Sequence, residues 1–158
     1  MTKKIKRIYV DTSVVLGHFD IGDTRRHQTD VFWNAVRSGE IVAVVSDVLD
    51  SELKGNTVER VQRFLATLPK NQIERIVATD ESAELAEQYI AENVVGKGSF
   101  NDCRHVALAT VRADGIVSWN LGDMVKREDR YNNVNTAQGY RKIKIIPPNK
   151  YKEIYNET

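Results

Sequence analysis

The stretch Ile8-Tyr9-Val10-Asp11-Thr12-Ser13 decides the fold, because a short apolar run ends there in a carboxylate followed by two hydroxyl side chains. Short runs rich in β-branched and aromatic residues are typical of buried strands. In open α/β sheets, ligands bind in the crevice beyond the carboxyl ends of the strands. The stretch therefore predicts a first central strand with Asp11 at the edge of the sheet where ligands bind.

Four further apolar runs follow, over residues 41–45, 73–77, 116–118 and 143–146. Between them, apolar side chains recur at helical spacing, over residues 31–36, 58–65 and 86–94. Ser46 and Asp80 are placed to cap helix starts, Pro69 ends the helix that begins near Thr57, and the polar stretch 127–141 is interpreted as a surface connection. This alternation predicts an α/β fold with a mainly parallel central sheet covered by helices on both faces.

Composition sets limits on the class of protein. The 158 residues, 41% of them hydrophobic, predict a single domain over 1–158, and the net charge of +1 neither requires nor excludes a nucleic-acid partner. The single Cys103 rules out an intrachain disulfide, and three scattered histidines argue against a zinc site. No stretch approaches the ~20 apolar residues of a membrane span, so we expect a cytoplasmic chain with no membrane partner.

Acidic and amide side chains recur near the predicted strand ends. Glu52 lies early in the helix that follows strand 41–45, and Asp102 lies in the first turn of a later helix. Asn120 and Asp123 come just after strand 116–118. Each alone has a simpler reading as a cap or turn residue. Together with Asp11 they predict one acidic crevice, because the carboxyl ends of parallel strands meet at one edge.

A cluster of carboxylates with few basic neighbours repels itself, so it usually serves to hold divalent cations. Mg²⁺ and Mn²⁺ prefer hard oxygen ligands, and one or two such ions would activate a water for phosphodiester hydrolysis. Thr12 or Ser13 is placed to hydrogen-bond a carboxylate, a metal-bound water or a phosphate, and Ser118 is placed to brace the last acid.

Four segments together resemble the motifs of PIN domains, most closely those of small VapC-type toxins of toxin–antitoxin pairs. They are YVDTS at 9–13, SDVLDSEL at 46–53, NDCRHVALA at 101–109 and VSWNLGD at 117–123. The resemblance implies a PIN-like three-layer α/β/α fold and an Mg²⁺- or Mn²⁺-dependent endoribonuclease acting on RNA. It also implies an antitoxin protein as partner and a homodimer.

The resemblance maps the catalytic and metal-binding acids onto Asp11, Glu52, Asp102 and the segment from Asn120 to Asp123. The last motif often has aspartate where this chain has Asn120. We therefore favour Asp123 as the charged fourth metal ligand and Asn120 as a residue that orients water or phosphate, with the reverse assignment left open.

Two other functions compete. An aspartyl-phosphate phosphatase would use Asp11 as nucleophile, but that chemistry commonly needs a second acid where this chain has Ser13. A catalytically silent PIN-like module that binds RNA or a protein is the alternative that Asn120 keeps open.

Several conspicuous residues have structural interpretations. Cys103 is read as a buried core residue, His105 as structural or peripheral, and Trp119 as packing rather than a base-stacking platform. Apolar side chains that are read either as core or as part of a groove for a partner helix are Leu16, Phe19, Val31 and Phe32.

Overall fold

The structure, a computed structural model, describes residues 5–19, 24–96 and 99–155. Its strands are β1 (Lys6–Val10), β2 (Ile41–Ser46), β3 (Ile73–Ile76), β4 (Gly115–Val117) and β5 (Lys144–Ile146). Its α-helices are α1 (Thr12–Gly17), α2 (Thr24–Arg37), α3 (Asp47–Glu52), α4 (Asn56–Ala66), α5 (Asp80–Ala91), α6 (Phe100–Arg112) and α7 (Glu128–Ala137). Short 3₁₀ helices cover Lys70–Gln72, Val125–Arg127 and Pro148–Ile154. Within these ranges, no helix combines the length and the apolar character that crossing a membrane requires.

The five strands form one sheet in the order β3-β2-β1-β4-β5, and every neighbouring pair is parallel. This confirms the α/β class and the parallel sheet predicted from the sequence. The chain first builds outward from β1 through β2 to β3 and then crosses to the other side of β1 for β4. The strand order therefore reverses between β1 and β4, which is where open α/β sheets bind ligands.

Two hydrophobic cores cover the two faces of the sheet, because successive residues of a strand point to opposite faces. Ile8 and Val10 of β1 belong to the core under α1, α2 and α4, whereas Tyr9 belongs to the core under α5, α6 and α7. The other strands alternate in the same way. Helices thus flank the sheet on both sides, as the three-layer expectation requires, and Tyr9 faces α6.

Two local predictions were wrong. The stretch 127–141, expected to be a surface connection, contains α7, which buries Tyr131 and Asn135 completely. The cap of α5 is Thr79 rather than Asp80: the Thr79 hydroxyl accepts from the backbone N–H of Ser82 at 3.2 Å, and Asp80 is the first helical residue. Ser46 caps α3 as predicted, because its hydroxyl accepts from the Val48 N–H at 3.2 Å.

Candidate active site

Asp11 lies at the carboxyl end of β1, beside the end of β4. Val10 and Val117 are paired in register, and the Asp11 N–H donates to the Val117 carbonyl at 3.2 Å. The hydroxyls of Ser13 and Ser118 donate to Oδ2 of Asp11 at 2.6 and 2.8 Å. Asp11 is only 5% exposed. Its side chain is therefore held in one orientation from two strand ends.

Glu52 reaches the same place from the last residue of α3. The Thr12 hydroxyl donates to Oε1 of Glu52 at 2.7 Å, and His105 Nε2 lies 2.6 Å from the same oxygen. Burial alone would raise the pKa of Glu52, but the hydrogen bonds from His105 and Thr12 and the positive charge of Arg104 outweigh it and lower the pKa. Glu52 is thus held as a carboxylate.

Asp102, on the first turn of α6, faces the other acids. Burial raises its pKa to about 6, and the negative charges of Asp11, Asp123 and Glu52 add to this rise, whereas His105 opposes it. The Asn120 side-chain amide donates to Oδ2 of Asp102 at 3.0 Å. The structure therefore brings the four predicted acids into one electrostatically coupled group, in which burial and the other three negative charges together raise the pKa of Asp102.

Asn120 and Asp123 hold different places in this group. Asn120 is turned inward, where its amide nitrogen bonds Asp102 and its Oδ1 accepts from the Asp123 N–H at 3.1 Å. The Asp123 side chain is 45% exposed; its Oδ2 accepts from the Ser99 hydroxyl at 3.3 Å, and its Oδ1 lies 3.8 Å from Nε of Arg127. Asp123 is thus a rim residue, whereas both polar atoms of the Asn120 side chain form hydrogen bonds within the group.

The sequence interpretation missed the position of His105. Its ring is completely buried, with Nε2 2.6 Å from Glu52 Oε1 and 3.5 Å from Asp11 Oδ1. Burial would lower its pKa, but the hydrogen bond to Glu52 and the charges of Asp11, Glu52 and Asp102 outweigh burial and raise the pKa. The spacing in the sequence indicates this position, because His105 follows Asp102 by three residues and therefore lies on the same side of the helix.

Ser118 also differs from expectation. It was predicted to brace the last acid, but its hydroxyl donates to Asp11, the first acid, and accepts from the backbone N–H of Asn120 at 2.9 Å. Ser13 likewise donates to Asp11. A phosphatase that used Asp11 as nucleophile would need an acid at this position, and a serine cannot take that role. Thr12 binds a carboxylate, as one of its predicted options.

Cys103 and Trp119 are the sequence neighbours of Asp102 and Asn120. Cys103 is fully buried, and burial raises the pKa of its thiol to about 12, so it has no nucleophilic character at neutral pH. The Trp119 indole N–H donates to the Thr29 hydroxyl at 2.8 Å, and the Arg25 guanidinium lies 5.1 Å from the ring centre. Trp119 therefore joins the site to α2.

The four side chains of the predicted groove divide in two. Phe32 is fully buried and Phe19 packs against the core, whereas Leu16 and Val31 are 37% and 48% exposed. Core packing thus explains the two aromatic residues, and only the two aliphatic residues remain available to a partner.

The donor chemistry of the acidic group fits a hard divalent cation. All four acids accept hydrogen bonds from hydroxyl or amide groups, and burial together with the neighbouring negative charges raises the pKa of Asp102. Within residues 5–19, 24–96 and 99–155, however, no group of three or more His, Cys, Asp or Glu side chains is arranged to hold a metal ion. The acids thus supply the oxygen donors that Mg²⁺ prefers, but they are not gathered into a ready-made set of ligands.

Comparison with known proteins was informative only for structure: no family model and no curated protein sequence matches the chain. VapC20 of Mycobacterium tuberculosis, described as a toxin that cleaves the sarcin-ricin loop, superposes with a TM-score of 0.56 at 15% identity, covering 86% of this chain and 98% of that one. The protein has a VapC-like PIN fold.

Two further structures share the VapC-like fold. VapBC from Salmonella typhimurium, bound to DNA, gives a TM-score of 0.57 at 17% identity over 92% of this chain and 99% of that one. VapBC2 from Rickettsia felis, bound to a DNA fragment from its promoter, gives 0.55 at 13% identity over 88% and 96%. At these identities the comparisons establish the VapC-like fold, whereas activity has to be argued from the site.

Proposed function

We propose that this protein is a metal-dependent endoribonuclease and the toxin of a toxin–antitoxin pair. The observation that carries the proposal is the coupled group of Asp11, Glu52, Asp102 and Asp123 at the strand-order reversal, where Asp102 has a pKa of about 6. A divalent cation bound there would offset the crowded negative charge and activate a water for attack on a phosphodiester.

The four acids of the group would hold that cation in different ways. Asp11 and Glu52 are fixed by hydroxyl donors and present carboxylates of constant orientation. Asp102, held by Asn120, supplies a third carboxylate. At the rim, Asp123 is placed to bind a cation through water rather than directly, because its side chain is turned towards solvent.

RNA is the substrate class that the surroundings of the acids favour. Arg104 lies close enough to Glu52 to lower its pKa, and Arg127 lies beside Asp123. These guanidinium groups would attract a phosphate chain that the acids alone repel. The VapC-like fold, shared with a toxin described as cleaving the sarcin-ricin loop, adds support by analogy.

An antitoxin is the partner that the proposal requires. Two of the structures with this fold are VapBC complexes bound to DNA. Leu16 and Val31 are exposed apolar residues on α1 and α2, and an amphipathic helix of a partner would cover them. A homodimer is proposed from the family resemblance alone.

The test is cleavage of a looped RNA by the purified protein with Mn²⁺ or Mg²⁺. We expect cleavage that EDTA abolishes, and a loss of at least about 100-fold in Asp11→Asn, because removing one charged ligand weakens the hold on the cation. Asp129→Asn, which removes an exposed acid on α7, is the matched control and should cleave like the wild type. Cleavage that persists in EDTA or in Asp11→Asn would refute the assignment.

The second candidate is a catalytically silent module that binds RNA or a protein. It is favoured by Asn120, which stands where an acid is common, and by the lack of a ready-made metal cluster among the described residues. Binding of RNA without cleavage, in a protein that calorimetry shows to bind no Mn²⁺, would select this function instead.

A further inference from the structure

We propose that His105 is a positioning residue that orients Glu52 for the cation, an inference that rests on the proposed function. One nitrogen of its ring, Nε2, lies near two carboxylates, one just after β1 and the other at the end of α3. It lies 2.6 Å from Glu52 Oε1, 3.5 Å from Asp11 Oδ1 and 3.3 Å from the Thr12 hydroxyl. Because a carboxylate only accepts hydrogen bonds, Nε2 carries the hydrogen that it shares with Glu52.

In each of the two acids, one carboxylate oxygen accepts the hydrogen bonds that hold the side chain. Oε1 of Glu52 accepts from both His105 and Thr12, and Oδ2 of Asp11 accepts from Ser13 and Ser118. Among the contacts of the described residues, Oε2 of Glu52 receives no hydrogen bond. Each acid is therefore anchored through one oxygen. This leaves Oε2 of Glu52 as the oxygen for a cation, whereas Oδ1 of Asp11 lies 3.5 Å from Nε2 of His105.

The other side of the ring is fixed just as firmly. His105 Nδ1 lies 2.7 Å from the Tyr9 hydroxyl, which lies 2.6 Å from the Ser46 hydroxyl. Ser46 also accepts from the Val48 N–H, as the cap of the helix that ends in Glu52. Both ring nitrogens thus have hydrogen-bond partners. The connected side chains are Ser46 at the start of α3, Tyr9 of β1, His105 and then Glu52 at the end of α3.

A purely structural role does not account for this arrangement. Most other buried residues of α6 are apolar, whereas His105 is completely buried with both ring nitrogens within hydrogen-bond distance of polar side chains, so its place in the core is expensive unless those contacts serve a purpose. The residues that hydrogen-bond metal-binding carboxylates typically change metal affinity or activity by about 10–100-fold when they are removed. The position of His105 corresponds to that role.

The experiment measures Mn²⁺ affinity by calorimetry and the melting temperature of the full-length chain. We expect His105→Leu to weaken Mn²⁺ binding by about 10–100-fold. His105→Gln, whose Nε2 can still donate to Glu52, should restore affinity to within about threefold of wild type. In cleavage assays the loss should fall on kcat, with KM for RNA little changed, since RNA contacts are intact.

Two controls separate positioning from packing. Thr110→Val alters another buried hydrogen-bonding residue of α6, one that contacts Tyr89 and Asn135, and it should lower the melting temperature without changing Mn²⁺ affinity. Tyr9→Phe removes the hydroxyl that fixes Nδ1 and should weaken Mn²⁺ binding by a smaller factor. It provides the test if His105→Leu does not fold.

Equal Mn²⁺ affinity in folded His105→Leu and wild type, or in Tyr9→Phe and wild type if the former does not fold, would overturn the inference and leave the proposed function standing. Failure of folded His105→Gln to restore affinity would also overturn it. A wild-type protein that binds no Mn²⁺ would instead refute the proposed function, and the inference would fall with it.

Discussion

Asp102 shares a crevice with three other acidic side chains, and burial together with their negative charges raises its pKa. Its position near the start of α6, like those of Asp11 and Glu52 near strand ends, was predictable, because topology determines which edge of the sheet such residues reach. The partners of these acids were not predictable. Ser118 bonds the first acid and His105 bonds Glu52, and both contacts depend on the distance between elements far apart in sequence.

In the metal-free protein, Asp102→Asn should raise stability at pH 7.5. The folded-state pKa of Asp102, about 6, lies above the usual 3.8, so the folded protein binds this proton more tightly than the unfolded chain. The contribution of Asp102 to the free energy of unfolding is therefore fully present at low pH and is lost as pH rises from 3.8 through about 6. Melting curves in EDTA should show the advantage of the variant at pH 7.5 and little difference at pH 4. An advantage that is independent of pH would contradict the shift.

Variants of Asp123 and Asn120 can decide which of the two residues is the fourth metal ligand. Asp123→Asn should weaken Mn²⁺ binding more than Asn120→Ala does, because an asparagine cannot offset the charge of a cation as an aspartate can. Calorimetry at constant pH measures both, with Asp129→Asn as the control for loss of a remote charge. The reverse order would make Asn120 the ligand, and no effect from either would reduce the site to three acids.

At the level of elements, α7 shows why the stretch 127–141 was mispredicted. Its sequence is rich in asparagine, a poor helix former, and so it resembles a loop. Its buried face is stabilised by polar contacts that need the fold: the Asn132 amide donates to the Ile143 carbonyl at 2.8 Å, and its Oδ1 accepts from the Ile143 N–H at 2.9 Å. The asparagine thus pairs with the backbone next to β5 as a neighbouring strand would.

Asn132→Ala should therefore lower the free energy of unfolding by about 2–3 kcal/mol, since it leaves two buried backbone groups of Ile143 without partners. Asn133→Ala is the matched control, because Asn133 is exposed on the same helix. Urea denaturation compares the two. Equal losses would indicate that helix propensity, rather than the contact with Ile143, determines the effect.

For the whole molecule, the parallel sheet and its two covering layers followed from the alternation of apolar runs and helical periods. The strand order was not specified by that pattern, and it is the order that creates the crevice between β1 and β4. Any cation bound there links the two halves of the chain, because β1 and β2 carry Asp11 and lead to Glu52, whereas Asp102 and Asp123 flank β4.

Mn²⁺ should accordingly stabilise the whole fold. At a concentration about 100 times the Kd, mass action adds about 2.7 kcal/mol to the free energy of unfolding, which raises the Tm of a chain of this size by about 8 °C. Differential scanning calorimetry measures the rise, which should be retained by Asp129→Asn and lost in Asp11→Asn. A wild-type Tm that is unchanged by Mn²⁺ would count against a cation site.

The buried thiol of Cys103 can be used as a probe of local opening next to the site. It is the single cysteine of the chain, it is fully buried, and it lies between Asp102 and His105 on α6. A thiol reagent reaches it only when the packing around α6 opens, so at a fixed pH and reagent concentration a change in the labelling rate reports a change in that opening. Labelling that slows as Mn²⁺ is added would show that the cation holds the helix closed, a measurement that needs neither RNA nor a mutation.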